Sequence, residues 1–182
     1  MKNPLLLLSI SISSFAIAQT TTSKTITHDG GNRQYDIYVP ASYDGNSAVP
    51  IVLNLHGYGS NNTQQMQYAN FKLIADTANF IIVLPQGLPD PVNFTAHWNA
   101  GFGSGIDDVG FINAMLDTVS ANYNINQNRI YSTGMSNGGF MSITLAGELS
   151  NRITAIASVT GTMTIAQVPN NTVVRPVPIM QI

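Results

Sequence analysis

The stretch from Arg129 to Glu148, RIYSTGMSNGGFMSITLAGE, constrains the fold more than any other part of the chain. Its first five residues are rich in strand-forming types, which predicts a buried strand, and its last part carries apolar residues at helical spacing. Between them lies Gly134-Met135-Ser136-Asn137-Gly138, a G-x-S-x-G sequence at a strand-to-helix turn. This arrangement is typical of a nucleophile elbow, which exposes a serine hydroxyl at a helix N-terminus. The alternative for these five residues alone is an ordinary Gly/Ser turn.

Steric contact explains why this motif needs a glycine at both positions. On a strained strand-to-helix turn, the residues two before and two after the serine press against other backbone. A Cβ would clash there, so we expect Gly134 and Gly138 to be in close contact with the main chain around them.

Composition narrows the class of protein. The chain has 182 residues, of which 44% are hydrophobic, enough for one domain with a sizeable core. Only 9% are charged and the net charge is −2, so there is no basic patch for nucleic acid and no acidic tail. Because the chain has no cysteine, disulfides, thiolate metal sites and cysteine catalysis are excluded.

The first 18 residues have the three parts of a signal peptide. Lys2 supplies the positive charge, Leu5–Ile17 is apolar apart from its serines, and Ala16-Ile17-Ala18 is a small-residue cleavage site before Gln19. A membrane anchor is the alternative, but the apolar run is shorter than the ~20 residues that a spanning helix needs. We expect an exported protein that leaves the membrane after cleavage near Ala18-Gln19, with one domain over residues 19–182. Periplasmic and extracellular destinations both remain open.

The rest of the chain alternates between strand-like and helix-like segments. After a polar leader at 19–24, the predicted strands are Thr25–His28, Arg33–Val39, Val49–Leu55, Phe80–Leu84, Arg129–Thr133, Ile153–Val159 and Val177–Ile182. Helices are predicted over Thr63–Asn79, from Asp107 or Asp108 onwards, and after the elbow. The pattern predicts an α/β fold with a mostly parallel, doubly wound sheet, and the Asp29-Gly30-Gly31-Asn32 turn predicts an antiparallel N-terminal hairpin at one edge.

Four motifs in this order resemble one known family. They are LHGYGS after one strand, LPQG after the next, HWNAGFGSGIDDVGF before a helix, and GMSNGG at the elbow. Together they are similar to the secreted α/β-hydrolase esterases of the polyhydroxybutyrate-depolymerase and feruloyl-esterase type, the LpqC-like group. The resemblance implies a serine carboxylesterase without a cofactor that acts outside the cytoplasm. Its substrates would be feruloyl or acetyl esters of plant polysaccharide, or a polyhydroxyalkanoate polyester, and the sequence leaves these open.

The resemblance also implies roles for individual residues. Ser136 matches the nucleophile, and the backbone amides of Asn137 and Tyr58 match the two donors of the oxyanion hole. His56 precedes Ser136 in the chain, whereas this fold orders its triad as Ser, acid, His, so His56 is expected to orient its loop. His56 and Trp98 are also candidates for the substrate pocket. For Trp98, which lies in the long irregular segment Leu88–Ile106 (the long loop), lining the acyl pocket and packing that loop beneath the pocket are equally open.

The chain departs from the family pattern after Ser136. The only acidic residue there is Glu148, on the elbow's own helix, and there is no histidine. In the family, the triad acid follows the strand matched by Val177–Ile182 and the histidine follows one strand later. We therefore expect both to lie beyond Ile182, and the fold to be incomplete at its C-terminal end. On this interpretation the chain is a gene fragment, essentially inactive and poorly soluble.

Four other interpretations of the sequence can be compared with this one. Asp107-Asp108 could be a paired-carboxylate site, but helix capping is the favoured role. His28, His56 and His97 show no metal-ligand spacing, so no metal site is expected. The function could instead be that of an exported serine peptidase of the same fold, or of a non-catalytic, carbohydrate-binding relative of the hydrolases.

Overall fold

The computed structural model describes residues 19–164 and 173–182, so the predicted signal peptide at 1–18 lies outside the described residues. The strands are β1 (Thr20–His28), β2 (Gly31–Val39), β3 (Val49–Leu55), β4 (Ile81–Pro85), β5 (Ile125–Met135), β6 (Ala155–Val159) and β7 (Ile179–Gln181). The helices are α1 (Asn62–Tyr68), α2 (Lys72–Ala78), α3 (Asp108–Asn122) and α4 (Asn137–Glu148). No helix in the described part is long and apolar enough to span a membrane.

All the strands belong to one sheet, in the order β1-β2-β4-β3-β5-β6-β7. The β1–β2 and β2–β4 pairs are antiparallel, and the remaining pairs from β4 to β7 are parallel. The predicted α/β fold, with a mostly parallel sheet and an N-terminal antiparallel hairpin, is confirmed.

The central strands bury both faces, which explains their near-continuous apolar sequences. Side chains of β4 alternate between two core clusters: Ile81 and Val83 join the larger one, and Ile82 and Leu84 join the smaller one. The larger cluster takes the apolar side chains of α3 and α4, and the smaller one takes Ala75 of α2. Helices therefore cover both faces of the sheet, as expected for a doubly wound fold.

The predicted helix over Thr63–Asn79 is wrong, because the chain breaks there into α1 and α2. Ala69 leaves helical geometry at φ −121° and ψ 61°, and its carbonyl accepts a 2.9 Å hydrogen bond from the buried Asn54 side chain. The Asn70 side chain then accepts from the Lys72 amide at 3.1 Å and starts the second helix. Two asparagines thus satisfy backbone groups at the break.

The polar leader at 19–24 is also corrected, because β1 begins at Thr20 and pairs with β2 from Thr20 opposite Val39 to His28 opposite Gly31. Most of β1 is exposed, so its sequence lacks the apolar side chains that mark a buried strand.

The two adjacent aspartates at the start of α3 have different roles. Asp107 caps the helix, accepting from the Gly110 amide at 2.8 Å. Asp108 is buried, and its carboxylate binds the buried Arg33 guanidinium at 2.5 Å and the Asn99 amide at 2.7 Å. Burial raises the pKa of the Asp108 carboxyl, while the Asn99 and Arg33 hydrogen bonds oppose that rise. Asp108 therefore anchors the long loop, through Asn99, to Arg33 of β2, while Asp107 caps α3. Because the two carboxylates have separate partners, they do not form a paired-carboxylate site.

Candidate functional site

Ser136 lies at the turn between β5 and α4. Its backbone has φ 52° and ψ −117°, a left-handed conformation that costs a non-glycine residue free energy. Two hydrogen bonds hold the turn: the Ser136 amide donates to Val159 O at 2.8 Å, and the Phe140 amide donates to Ser136 O at 2.9 Å. The side chain is exposed, and its hydroxyl has no hydrogen-bond partner among the residues that the structure describes. The geometry is that of a strained, exposed serine at a helix N-terminus.

The elbow glycines pack against backbone at distances that no side chain allows. A Cβ at Gly134 would lie 2.5 Å from the Gly138 carbonyl carbon and oxygen. A Cβ at Gly138 would lie 2.3 Å from Leu55 O and 2.7 Å from His56 O, at the end of β3. Gly134 and Gly138 therefore let β5, α4 and β3 meet directly beneath Ser136.

The loop after β3 lies against the elbow. A Cβ at Gly57 would be 3.4 Å from Met135 O and 3.9 Å from the Ser136 Cβ. Tyr58 follows it, with an exposed ring whose hydroxyl accepts from the Asn93 side chain at 2.8 Å. The amide of Asn137 opens α4, where the first N–H groups of a helix have no intrahelical acceptor. The two amides expected to form the oxyanion hole thus belong to segments that flank Ser136.

His56 is fully buried and connects two loops. Its Nδ1 lies 2.8 Å from Gly57 O, and its Nε2 accepts from the Gly87 amide at 2.9 Å. Because a carbonyl only accepts, these bonds place the proton on Nδ1 of a neutral ring. Burial lowers the pKa of His56. The loop-orienting interpretation agrees with this geometry, whereas the pocket interpretation does not, since His56 has no exposed surface.

Trp98 packs under the long loop and is fully buried, so it too contributes no surface to a pocket. Its indole N–H donates to His56 O at 2.9 Å. Its backbone is held by the side chain of Asn137, which accepts from the Trp98 amide at 2.6 Å and donates to the Trp98 carbonyl at 3.0 Å. Of the two alternatives for Trp98, packing beneath the loop is the one that the structure has.

A cavity of about 360 Å³ opens over Ser136. It is lined by Tyr58, Asp90, His97, Phe102, Ser136, Asn137 and Phe140. The sequence interpretation missed Asp90, Phe102 and Phe140 and considered His97 only as a metal ligand. The loop from 88 to 106 has no periodicity, so nothing in its sequence indicates which side chains face the elbow.

A larger cavity, of about 590 Å³, lies along one face of the sheet. Its lining is mostly apolar and comes from β3, β5, β6 and β7, from Pro178, and from Phe71 and Phe80 on either side of α2. No elbow residue lines it. It is a sheet surface left open beside β7, whose residues are all exposed.

Within residues 19–164 and 173–182, no acid or base forms a hydrogen bond with the Ser136 hydroxyl, although Asp90 and His97 line the same cavity. Glu148 is exposed at the far end of α4. The structure does bring His28, Asp29 and Asp107 together, with one ligand atom from each within 4.8 Å of the others. His28 Nε2 already lies 3.0 Å from Asp107 Oδ2, and the two carboxylates are largely exposed. These three residues could hold a cation, which the spacing along the sequence did not indicate.

Comparison with known proteins identifies similar sequences. Bifunctional acetylxylan esterase/xylanase XynS20E of Neocallimastix patriciarum is 27% identical over 157 residues, covering 84% of this chain and 21% of that protein. Feruloyl esterase D of Neurospora crassa is 29% identical over 155 residues, covering 79% and 49%. Poly(3-hydroxyalkanoate) depolymerase C of Paucimonas lemoignei is 27% identical over 161 residues, covering 87% and 37%. The chain spans less than half the length of each of these relatives.

Solved structures share the fold. A thermostable esterase superposes with a TM-score of 0.67 at 20% identity, covering 88% of this chain and 45% of that one. A ferulic acid esterase superposes with a TM-score of 0.66 at 19% identity, covering 83% and 61%. These neighbours confirm the α/β-hydrolase fold, and the relatives confirm the resemblance to feruloyl esterases and polyhydroxyalkanoate depolymerases. The BD-FAE family model matches residues 35–176, most of the chain, and the chain therefore belongs to the BD-FAE family.

Proposed function

We propose that this protein is an exported serine carboxylesterase that forms an acyl-enzyme on Ser136. The observation that carries the proposal is the elbow: an exposed serine at φ 52°, directly before a helix and at the floor of a cavity. Substrates would be acyl esters of plant polysaccharide or of a polyester, in line with the names of the relatives. Export rests on the signal-like sequence of residues 1–18.

In the proposed reaction, the Ser136 hydroxyl attacks the ester carbonyl carbon. The carbonyl oxygen becomes an oxyanion, held by the backbone amides of Asn137 and Tyr58. One such donor is typically worth about 3 kcal/mol of activation free energy. The ester C–O bond breaks and the alcohol leaves with the proton that the Ser136 hydroxyl gave up. Water then attacks the acyl-enzyme, releases the acid and restores the Ser136 hydroxyl. His56 and Trp98 support the two amides: His56 holds the loop that carries Tyr58, and the Trp98 backbone is hydrogen-bonded to the side chain of Asn137.

A serine needs a general base, and none is hydrogen-bonded to Ser136 in the described part of the chain. We infer that the 182-residue chain alone is essentially inactive, since no histidine follows Ser136. An oxyanion hole without a base retains roughly 10³–10⁴-fold catalysis over water, which is small beside a complete triad.

The test compares the 182-residue chain with the product of the whole open reading frame of its source gene. Each is assayed on an aryl ester and on a peptide amide, with Ser136→Ala as the control for each. We expect the frame product, where the frame continues to a histidine, to hydrolyse the ester and not the amide, in a Ser136-dependent way. Ester hydrolysis that survives Ser136→Ala would refute the proposed nucleophile, and faster amide hydrolysis would favour a peptidase.

A further inference from the structure

Three side chains of types that bind metal ions meet beside the N-terminal hairpin. His28 ends β1, Asp29 lies in the turn after it, and Asp107 immediately precedes α3. The His28 Nε2 atom lies 3.0 Å from Asp107 Oδ2 and 3.9 Å from Asp29 Oδ2. All three ligand atoms are within 4.8 Å of one another. Because 79 positions separate His28 from Asp107, the fold brings this cluster together, and the local sequence does not.

The His28 imidazole is fixed with its Nε2 directed at the two carboxylates. Only 16% of the His28 side chain is exposed, and its ring packs against Phe111 of α3 with centroids 6.4 Å apart. The Asp29 and Asp107 side chains are 70% and 50% exposed. The imidazole thus enters the cluster from the protein interior and the carboxylates face solvent, so an ion can reach all three ligand atoms.

The Asp107 carboxylate is oriented through its other oxygen. Asp107 Oδ1 accepts from the Gly110 amide at 2.8 Å, which leaves Oδ2 for His28 or for an ion. A Cβ at Gly110 would lie 2.0 Å from Asp107 Oδ2, so the carboxylate can take this position only because residue 110 has no side chain. Hydrogen bonds to the atoms of a ligand group that do not touch the metal orient metal ligands in the same way.

The distances and the donor types fit a first-row transition metal. Zn²⁺ binds imidazole nitrogen and carboxylate oxygen at about 2.0–2.2 Å, which puts neighbouring ligands about 3.0–3.5 Å apart. The distance between His28 Nε2 and Asp107 Oδ2 is already in this range, and the exposed Asp29 side chain would have to move by only about 0.5–1 Å. Two carboxylates balance the charge of a divalent ion. Ca²⁺ and Mg²⁺ prefer oxygen ligands alone, so the imidazole favours Zn²⁺ and ions like it.

We propose that His28, Asp29 and Asp107 form a structural site for one divalent transition-metal ion of the Zn²⁺ type. Water completes the coordination of the ion, which joins the β1–β2 turn to the start of α3. None of these three residues lines the cavity over Ser136. The site therefore goes beyond the proposed esterase function and does not depend on it.

The ion strengthens a connection that already depends on one buried charged pair. Asp108, next to the site, binds Arg33 of β2 and the amide of Asn99 in the long loop. Since the chain has no cysteine, no disulfide can join the hairpin to α3. An ion that binds the folded chain and not the unfolded one stabilises the fold by mass action.

Calorimetric titration with ZnCl₂ tests the site on the 182-residue chain, prepared without a histidine tag and freed of metal. We expect one Zn²⁺ per chain, and Ca²⁺ binding at least about tenfold weaker. The other two histidines of the chain, His56 and His97, are buried, so His28 is the one that solvent ions can reach. With Zn²⁺ at about 100 times its Kd, the midpoint of thermal unfolding should rise by about 5–10 °C.

Two substitutions remove one ligand each. His28→Gln and Asp29→Asn should each weaken Zn²⁺ binding at least about tenfold, since even the loss of a group that only orients a ligand costs about that much. Asp29 has φ 49°, a conformation that asparagine also adopts readily, so Asp29→Asn keeps the turn. Without metal, in EDTA, this variant should unfold at the temperature of the parent chain, which separates loss of a ligand from misfolding.

Asp44→Asn is the matched control. Asp44 also precedes a glycine with positive φ, Gly45, but it lies outside the cluster, so its replacement should leave Zn²⁺ affinity unchanged. Absence of Zn²⁺ binding, tighter binding of Ca²⁺ than of Zn²⁺, or a Zn²⁺ affinity that survives His28→Gln would each overturn the site. In the first case, His28 is only an ion-pair partner of Asp107.

Discussion

Replacing Gly138 by alanine should destabilise the fold strongly, although alanine is the better helix former. Alanine in place of glycine inside a helix stabilises by up to about 1 kcal/mol. At Gly138, however, the new Cβ would lie 2.3 Å from Leu55 O, more than 1 Å inside ordinary contact, which begins at 3.4 Å. The atoms it meets are backbone of β3 in the middle of the sheet, so they cannot move cheaply. Overpacking typically costs about 1–3 kcal/mol, and the gain in helix propensity offsets part of that cost, so we expect a net loss of about 2 kcal/mol.

Gly147 offers the matched control on the same helix. A Cβ there meets nothing within 4 Å, so Gly147→Ala should leave stability unchanged or raise it by up to about 1 kcal/mol. Both variants are measured by urea unfolding, with the fluorescence of Trp98 as the signal, because it is the single tryptophan and is fully buried. A Gly138→Ala chain within about 0.5 kcal/mol of the parent would refute the argument that close backbone contact requires this glycine.

Three further predictions follow from the buried groups and the open sheet edge. Asp108→Asn leaves the Arg33 guanidinium buried without its counter-charge and should lower the free energy of urea unfolding by about 3–5 kcal/mol. Asp117→Asn, which removes a largely exposed carboxylate from its pair with Arg152, should lower it by less than about 1 kcal/mol. Burial lowers the pKa of His56 in the folded state, so as the pH falls the imidazole is protonated in the unfolded chain before it is protonated in the folded one. The free energy of unfolding should therefore fall as the pH drops below about 6.5. His56→Gln should flatten that fall, and an unchanged pH profile would contradict it. Met180→Lys places a charge on β7, the exposed edge strand of the sheet, and should reduce self-association measured by light scattering. Leu73→Lys replaces an apolar side chain that is also exposed, but on α2 and away from the sheet edge, so it should change self-association less.

Features that depend on residues next to one another in the chain could be predicted from the sequence, and features that depend on contacts between distant residues could not. The predicted strand Val49–Leu55 coincides with β3, because a near-continuous apolar run can be recognised without knowing what it packs against. The elbow was predicted because the motif and its flanking strand and helix are contiguous. The break between α1 and α2 could not be predicted, since it depends on the Asn54 side chain, 15 residues before Ala69.

The cavity was less predictable for the same reason. The contact that decides between the two alternatives for Trp98 joins residues 39 positions apart in the chain. No sequence pattern in the loop indicates that the Trp98 backbone forms hydrogen bonds with the side chain of Asn137. The side chains that line the cavity follow from how that loop is anchored, so they appear only in three dimensions.

The double hydrogen bond between Asn137 and the Trp98 backbone has a consequence for how such a protein can evolve. The side chain of Asn137, next to the proposed nucleophile, holds the long loop at Trp98 through two hydrogen bonds. Asp108 holds the neighbouring residue, Asn99, by accepting a hydrogen bond from its amide. On either side of Trp98 and Asn99, the loop can change in length or in its side chains without moving the amide of Asn137. New ligand preferences can therefore arise by substitution at positions such as Asp90 or Phe102, while the geometry around Ser136 is inherited unchanged.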